Sequence, residues 1–380
     1  MISLQEKWGL MKKNKIVMVT GSYPPARCGV GDYTNHICGS LASIGTDITI
    51  ITSSFHSIKK TSRPVKVLPV ISSWHSTNSK NILKIITDEN PSIVHFQYPN
   101  LEYKKNLSFN FLPGMIKKTD PSIKIVQTFH EPIKELSVLG RLRFMVNMRH
   151  ADGLIFVEKE NYNTLPFYLK NCIKNKPLSF IPIGSNIPAV KRDTQLKKKL
   201  FNRLKIDNRL KLITTFGFIT SVKGYELLLE AYDPKKEFWV HVGTKDKKEP
   251  YYEHFFNLAK TMSKLDRIHF TGELPAKQAA AFLASSDACI FPFKEGATPR
   301  HGTFLAAAAQ GGYVIASHAV KRGYIKEHNI YYIKPRDTAE LRLAMDFEPP
   351  VKKALLPFAP SWKEAAKKHI ILYKKLLNTI

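Results

Sequence analysis

Short apolar runs alternate with longer polar or amphipathic segments along the first half of the chain. Each run has the length and composition of a strand that is buried on both faces. The runs span Lys15–Gly21, Asp47–Thr52, Ser92–Phe96, Ile123–Thr128, Gly153–Val157 and Ser179–Ile183. Strands that alternate with helical segments form parallel βαβ units, so this half is predicted to be a doubly wound α/β domain.

The strand pattern stops and then restarts in the second half. Between 189 and 209 the composition becomes charged, which favours a linker with a short exposed helix. The later runs span Lys211–Gly217, Phe238–Gly243, Arg267–Gly272, Ala288–Pro292, Val314–Ser317 and Ile330–Ile333. They alternate with helical segments in the same way, so the chain is predicted to contain two similar Rossmann-like halves. A last helix over Ser361–Leu377 carries an apolar stripe with lysines opposite it.

Residues 287–318 read as a strand, a polar loop, a helix and a second strand, and the loop has the sequence EGATPRHGT. It contains a carboxylate, two basic groups and the N–H groups of a predicted helix start, from Glu295, Arg300, His301, Gly302 and Thr303. Open α/β sheets bind ligands at the carboxyl ends of their strands, and a helix start attracts phosphate. The loop is therefore a candidate ligand site, and an ordinary surface loop is the alternative.

Glycines precede two other predicted helices. Lys223 and Gly224 lie at the start of an amphipathic helix, where Lys223 is expected to act as a point charge on a diphosphate. Gly29 and Gly31 lie in a turn after the first strand. This turn does not fit a dinucleotide-binding fingerprint, because Thr34 occupies the place of the third glycine and the loop is too long. A solvated lysine and a plain connecting loop remain the alternatives.

Polar side chains end three strands of the first half, in the segments HFQYPN, TFHEP and FVEKE. They are His95, Gln97, His130, Glu131 and Glu158. Because the carboxyl ends of parallel strands meet at one edge of a sheet, His130 is expected to line a cleft. A histidine buried in the core is the alternative.

Composition limits the class of protein. A chain of 380 residues with 43 % hydrophobic content can bury the cores of two domains. The formal net charge of +27 attracts phosphates, nucleic acid or an anionic membrane without choosing among them, and no nucleic-acid-binding fingerprint accompanies it. Four cysteines without CxxC spacing predict neither a zinc site nor disulfides. Since no signal peptide or membrane-spanning run is predicted, a cytoplasmic protein is expected.

The loop after residue 294 resembles the donor-site signature of retaining glycosyltransferases of the GT-B fold, family 4. In that signature a Glu-Gly pair opens the loop, and a second Glu follows after seven intervening residues. Glu295 and Gly296 match, whereas Thr303 occupies the second acidic position. A subgroup of the family reads Arg-Arg-Gly-Ser where this chain has residues 300–303. Phe218 stands where members usually have an arginine, so one cation of the usual pair is missing.

The resemblance covers nearly the whole chain and implies two Rossmann-like βαβ domains that face a central cleft. An acceptor domain is then predicted over 1–188, a linker over 189–209 and a nucleotide-sugar donor domain over 210–358. Residues 359–380 are predicted to form a helix that crosses back to the first domain.

The resemblance also implies roles for individual residues. His130 would contact the donor hexose, Glu295 the sugar hydroxyls and Lys223 the diphosphate, and these three are the predicted catalytic residues. The implied donor-binding residues are Gly29, Gly31, Lys223, Gly272, Leu274, Glu295, Gly296, Ala297, Thr298, Arg300, His301, Gly302 and Thr303. Thr303 replaces the glutamate that usually holds the nucleotide ribose.

The implied reaction transfers a hexose from a nucleotide sugar, expected to be a UDP-sugar, to a glycan or lipid-linked acceptor with retention of configuration. The sequence contains no Asp-x-Asp pair, so neither a metal nor another cofactor is expected. In this family the acceptor hydroxyl attacks on the leaving-group face and the donor phosphate takes the proton, so no protein nucleophile is required. The alternative is a degenerate relative that serves as a binding or partner subunit.

The segment Ile133–Arg149 mixes apolar and basic residues in the predicted acceptor domain. A helix of this kind can lie on an anionic membrane, and its apolar residues can equally face the core. Together with the net charge, it favours a lipid-linked or cell-envelope glycan as the acceptor. We therefore expect a cytoplasmic protein that acts at the inner face of a membrane, in cell-envelope or exopolysaccharide biosynthesis.

Overall fold

A computed structural model describes residues 14–26, 28–55, 65–100, 102, 106, 108–131, 138–244 and 249–377. The chain divides into two compact units. Met1–Gly184 and Pro360–Ile380 form the first unit, and Ser185–Ala359 forms the second.

The described part of the first unit contains a seven-stranded parallel sheet in the order β3-β2-β1-β4-β5-β6-β7. Its strands are β1 Lys15–Val19, β2 Asp47–Ser53, β3 Lys66–Ile71, β4 Ile93–Tyr98, β5 Lys124–Phe129, β6 Gly153–Phe156 and β7 Leu178–Phe180. The central strands are mostly apolar and are buried on both faces, and β4 and β5 also contain buried polar residues near their carboxyl ends. The sequence pattern missed β3, because Pro69 interrupts its run. Proline is tolerated there because β3 is an edge strand.

Helices cover both faces of this sheet. They are α1 Gly29–Ser43, α2 Ser79–Asp88, α3 Ser108–Thr119, α4 Val138–His150, α5 Lys159–Asn163 and α6 Phe167–Ile173. Apolar residues of α2, α3, α4 and α6 form one buried cluster with the sheet. Residues of α1 form a second cluster on the opposite face.

The second unit repeats the architecture with a seven-stranded sheet in the order β10-β9-β8-β11-β12-β14-β13. Its strands are β8 Lys211–Phe216, β9 Glu237–Val242, β10 Ile268–Phe270, β11 Ala288–Phe291, β12 Val314–Ser317, β13 Gly323–Ile325 and β14 Ile330–Ile333. Only β13 pairs antiparallel in this described sheet. The sequence pattern missed β13, because its three residues lie between the charged pairs Lys321-Arg322 and Lys326-Glu327 and form no apolar run.

The helices of the second unit are α7 Leu196–Leu204, α8 Tyr225–Ala231, α9 Tyr251–Thr261, α10 Ala276–Ser285, α11 Gly302–Ala308 and α12 Thr338–Asp346. The sequence predicts a linker with an exposed helix over 189–209, but the structure places this segment within the second unit. Leu200 and Phe201 of α7 are buried against the sheet, where they join one apolar cluster with residues of β8 and β9. The lysines of α7 suggested an exposed helix, but these two apolar side chains are enough to anchor it.

The last helix, α13 Trp362–Leu376, packs on the first unit. Ser361 caps it, because its hydroxyl accepts from the Glu364 backbone N–H and the Glu364 carboxylate accepts from Ser361 in return. Ala366, Ile370 and Tyr373 of the predicted stripe are buried beside α1. The prediction of two Rossmann-like α/β halves is confirmed.

Candidate functional site

Lys223 is a half-buried cation at the carboxyl edge of the second sheet. It ends a 3₁₀ turn, Ser221–Lys223, that follows β8, whereas the sequence places it at a helix start. Its ammonium donates to the Thr303 hydroxyl at 2.7 Å and lies 4.5 Å from the centre of the Phe293 ring. Burial lowers the pKa of Lys223 to about 8. No carboxylate in the described part of the chain pairs with this ammonium, so the site has an uncompensated positive charge.

Gly217 allows Lys223 and Thr303 to approach each other. It follows β8 with φ +110°, a backbone conformation that glycine adopts readily. A Cβ built on Gly217 would lie 2.6 Å from Cγ2 of Thr303. A side chain at this position would therefore displace Thr303.

His241 of β9 is hydrogen-bonded to the turn at Gly217. Its Nε2 donates to the Gly217 carbonyl oxygen at 3.0 Å, and since a carbonyl only accepts, this nitrogen carries the proton. Its Nδ1 accepts from the Thr215 hydroxyl at 2.9 Å. The Trp239 indole N–H donates to the same hydroxyl oxygen at 2.8 Å, which leaves the Thr215 proton for His241. A buried hydrogen-bond chain thus holds the turn.

The loop that the sequence singled out follows β11 and closes around His301. The Nδ1 atom of His301 accepts from the Thr298 backbone N–H at 2.9 Å, and its ring stacks on Phe293 with centroids 4.3 Å apart. Burial, and then the charges of Lys223 and Arg300, lowers the pKa of His301 to about 4. The sequence predicts a second basic group here, but His301 is neutral near pH 7. It is an aromatic and hydrogen-bonding member of the site.

The start of the loop lies against β12. The Ala297 N–H donates to the carbonyl oxygen of Ser317, the last residue of β12, at 2.6 Å. This hydrogen bond holds the loop against the end of the strand. Gly296 has φ +91°, and a Cβ there would lie 2.8 Å from the Ala319 backbone nitrogen. Glycine is therefore required where the loop turns over this strand.

Glu295 lies at the exposed outer end of the loop. Its side chain is 85 % exposed and pairs with Arg336 at 3.1 Å, and Arg336 is itself 68 % exposed. Such a surface pair contributes little stability, so a ligand hydroxyl can displace Arg336 at small cost. The carboxylate is therefore accessible, and it does not neutralise Lys223 in this conformation.

The remaining predicted donor residues of the second unit lie at the same edge of the sheet. Arg300 is half-buried and Gly302 is exposed at the start of α11. This helix has seven residues, so the half-buried Lys223 is a stronger basis for an anion site than the helix start. Gly272 forms an isolated bridge with Gly243 after β9, and the half-buried Leu274 packs against the apolar cluster that contains α7.

His130 lies at the carboxyl end of β5 in the first unit. Its Nε2 is 2.8 Å from Oε1 of Gln97, an oxygen that can only accept, so Nε2 carries the proton and Nδ1 is the acceptor nitrogen of the ring. The Tyr33 ring and the imidazole meet edge to face at a centroid distance of 4.7 Å. Burial lowers the pKa of His130 to about 3, with a smaller effect from His369. His130 is thus neutral across the physiological pH range.

Two further histidines lie buried in the same region of the first unit. His95 lies 2.6 Å from the Tyr373 hydroxyl and 2.7 Å from the Thr128 hydroxyl. His369 donates from Nδ1 to the Ala365 carbonyl at 2.8 Å. Burial lowers the pKa of both histidines, so their neighbours meet neutral rings. This network fixes the surroundings of His130 through α13.

Gly29 and Gly31 open α1 at the same edge of the first sheet. Gly29 is exposed, and a Cβ there would contact nothing within 4 Å. Gly31 is buried, and a Cβ there would lie 2.9 Å from the Ser22 carbonyl oxygen. Close packing therefore requires a glycine at 31, while Gly29 has no such structural need.

The structure brings together Lys223, Thr303, His301 and Thr298 in one cluster, with Glu295 farther out. Sequence reasoning missed Phe293 and the hydrogen-bonded residues Trp239, Thr215 and His241 that hold the turn at Gly217. A signal for His241 was present, because a histidine near the end of an apolar strand had already marked His95 and His130 in the first half. The described residues contain no group of three or more potential metal-binding side chains. None of the described helices has the length and apolar character needed to cross a membrane.

Comparison with known proteins places the fold. No family model matches this chain, and no curated protein sequence matches it. Sucrose-phosphate synthase from Thermosynechococcus elongatus has a similar structure, with TM-score 0.71 and 16 % identity over 97 % of this chain and 100 % of that one. A glycosyltransferase from Rickettsia africae gives TM-score 0.71 and 17 % identity over 97 % of this chain and 99 % of that one.

HepE from Anabaena, solved in complex with UDP and glucose, gives TM-score 0.64 and 14 % identity over 96 % of this chain and 99 % of that one. Sequence identities this low establish architecture and leave the reaction to be argued from the site. Both units and nearly the whole chain are covered in each comparison. The chain therefore has the GT-B fold.

Proposed function

We propose that this protein transfers a hexose from a nucleotide sugar to a glycan or lipid-linked acceptor, with retention of configuration and without a metal ion. The observation that carries the proposal is the half-buried ammonium of Lys223, which has no carboxylate partner among the described residues. A charge in that position costs folding free energy unless an anion compensates it. A diphosphate is the anion that this fold family handles, and HepE was solved with UDP and glucose. A UDP-hexose is therefore the first donor to test.

In this proposal the residues of the second unit act on the donor. Lys223 stabilises the negative charge that develops on the leaving diphosphate, and Arg300 supplies the second cation in place of the arginine that Phe218 replaces. A positioned donor of this kind is worth about 2.7–4 kcal/mol in the transition state. Glu295 exchanges its exposed partner Arg336 for sugar hydroxyls. Thr303, whose oxygen accepts from Lys223, can still donate its own proton to the ribose.

His130 has a hydrogen-bonding role in the proposal. Because its Nε2–H is directed to Gln97, its Nδ1 can accept from a hexose hydroxyl. Its lowered pKa makes it a poor proton carrier near pH 7. The proton of the acceptor hydroxyl goes to the donor phosphate, as the family resemblance implies. No protein nucleophile is then required.

Product analysis tests this proposal. UDP release from UDP-glucose, UDP-galactose and UDP-N-acetylglucosamine is measured with oligosaccharide and polyprenyl-linked acceptors, in chelator and in Mg²⁺. We expect acceptor-dependent release in chelator, and NMR of the product should show the anomeric configuration of the donor. Release that requires Mg²⁺ would contradict the metal-free part, and an inverted product would contradict retention.

A binding or partner subunit is the second candidate, and the replacement of the second glutamate by Thr303 favours it. That protein would bind nucleotide sugar through Lys223 and give no turnover with any acceptor. Equal, background-level UDP release by the wild type and Glu295→Ala, together with tight UDP-glucose binding, would identify it.

A further inference from the structure

Three neighbouring helices of the first unit, α3, α4 and α6, cover one face of its sheet. Each packs inward through apolar side chains of the same buried cluster, including Leu112, Phe144, Met148 and Leu169. They follow β4, β5 and β6 in the chain, so each runs back along the sheet after its strand. Their amino-terminal ends therefore lie together at the carboxyl edge, where His130 ends β5. We call the outer surface of these helices the α3/α4/α6 face.

Large apolar side chains are exposed at those amino-terminal ends. The exposed residues are Phe111 at 52 %, Val138 at 75 %, Leu142 at 51 %, Phe167 at 78 % and Tyr168 at 51 %. Single exposed apolar residues are ordinary, but five at one end of three adjacent helices form a surface that water solvates poorly.

The charged residues on these three helices have one sign. The helices α3, α4 and α6 contain no Asp or Glu, and they carry Lys117, Lys118, Arg141, Arg143, Arg149 and Lys170. Lys117 is neutralised by Asp152 at 2.7 Å, outside these helices. Arg141 and Arg143 flank Leu142 near the apolar end, and Lys118 and Arg149 are exposed farther along.

We propose that the α3/α4/α6 face binds an anionic lipid bilayer, with Phe167, Tyr168 and Leu142 inserted at the headgroup level. Aromatic and aliphatic side chains mixed with cations, on three helices that carry no carboxylate of their own, match such a surface in both hydrophobicity and charge. A second copy of the chain fits poorly, because a symmetric contact would place cation against cation. The proposal rests on the proposed function only in making the lipid-linked acceptor the reason for docking.

The structure changes which residues carry membrane binding. The sequence hypothesis used the apolar residues of Ile133–Arg149 as a single amphipathic helix. Phe144 and Met148 from that set are buried in the core, so they are unavailable to a membrane. Residues 132–137 lie outside the described part of the chain. The docking surface instead includes α3 and α6, which sequence reasoning did not select.

Vesicle co-sedimentation with the full-length protein tests the proposal. Vesicles of phosphatidylcholine alone are compared with vesicles that contain phosphatidylglycerol, at low and high salt. We expect binding to the anionic vesicles that weakens with salt. The double variant Phe167→Ser/Tyr168→Ser should lower the partition coefficient about tenfold or more. Lys118→Gln/Arg149→Gln should lower it by up to about fivefold per cation at low salt.

Matched variants in the second unit provide the controls. Leu355→Ser/Leu356→Ser removes two comparably exposed apolar side chains, and Lys198→Gln/Lys199→Gln removes two exposed lysines of α7. Both should bind vesicles as the wild type does. Thermal unfolding and UDP-glucose binding are measured on every variant, so that a misfolded protein and a failed donor site are each recognised separately.

Three results would overturn the proposal. The first is wild-type protein that stays in the supernatant with anionic vesicles at low salt. The second is a Phe167→Ser/Tyr168→Ser variant that binds as tightly as the Leu355→Ser/Leu356→Ser control. The third is a wild-type dimer in sedimentation velocity that the Phe167→Ser/Tyr168→Ser substitution dissociates, since the face would then be a contact between copies.

Discussion

Replacement of Lys223 by methionine should make the protein more stable and unable to bind its donor. Burial lowers the pKa of Lys223 from 10.5 to about 8, and each pKa unit corresponds to about 1.36 kcal/mol. The charged lysine therefore costs about 3 kcal/mol of folding free energy at pH 7. Loss of the Thr303 hydrogen bond and of the Phe293 contact would take back about 1–2 kcal/mol. We expect a net gain of about 1–2 kcal/mol in the free energy of unfolding.

The gain should depend on pH with a defined sign. The folded-state pKa of Lys223 is lower than its unfolded-state pKa, so the unfolded chain binds more protons between about pH 8 and 10.5. The free energy of unfolding of the wild type should therefore rise through that window relative to Lys223→Met. The advantage of the variant should shrink as the pH increases and reverse near the top of the window, where only the loss of the Thr303 and Phe293 contacts remains.

Urea unfolding at several pH values between 7 and 10.5 measures this difference. Lys211→Met is the matched control. Lys211 begins β8, at the end of the strand opposite to the turn that contains Lys223, and it pairs with the exposed Glu348. That variant should change stability by less than about 1 kcal/mol and show no such pH dependence. A Lys223→Met protein that is less stable than the wild type at pH 7, with a difference independent of pH, would refute the reasoning.

Three other predictions concern the site residues. Glu295→Ala should lower turnover about a hundredfold. Thr303→Ala should lower turnover less than about tenfold, because its hydroxyl holds ribose weakly. Equal losses of turnover in steady-state assays would contradict these unequal roles. His130→Ala should lower kcat. The dependence of the wild-type kcat/KM on pH should nevertheless show no ionisation between pH 5 and 7, since the pKa of His130 is about 3. An inflection near pH 6.5 that disappears in the variant would contradict a role for neutral His130. His241→Phe should release the Gly217 turn and weaken UDP-glucose binding more than uridine binding. His241→Gln keeps a hydrogen-bond donor and should recover part of the lost UDP-glucose binding. Equal effects of His241→Phe on both ligands would indicate a general structural defect.

The sequence predicted most of the fold because buried parallel strands consist largely of apolar residues. The runs at Val314–Ser317 and Ile330–Ile333 coincide with β12 and β14. The errors arose where local pattern and tertiary position diverge. Pro69 weakened the β3 run although an edge strand tolerates it, and the lysines of 196–204 suggested solvent exposure although Leu200 and Phe201 anchor α7.

The candidate site was predictable in its residues but not in their electrostatics. Sequence reasoning selected Lys223, His301 and Thr303 as neighbours of one loop, and treated Lys223 and His301 as cations. Burial determines their charge, and burial depends on side chains distant in sequence, such as Phe293, against which both pack. The support of Gly217 by His241 likewise depends on strand pairing between β8 and β9, which no local motif reports.

Calorimetric titration of UDP-glucose in chelator at pH 7 and pH 9 tests the central claim, that Lys223 forms a metal-independent nucleotide-sugar site. We expect binding by the wild type that weakens about tenfold at pH 9, because a free-site pKa of about 8 leaves about one tenth of the lysine protonated there. Lys223→Met should show no binding at either pH, and Lys211→Met should match the wild type. Equal binding by the wild type and Lys223→Met, or binding that chelator abolishes, would contradict the account.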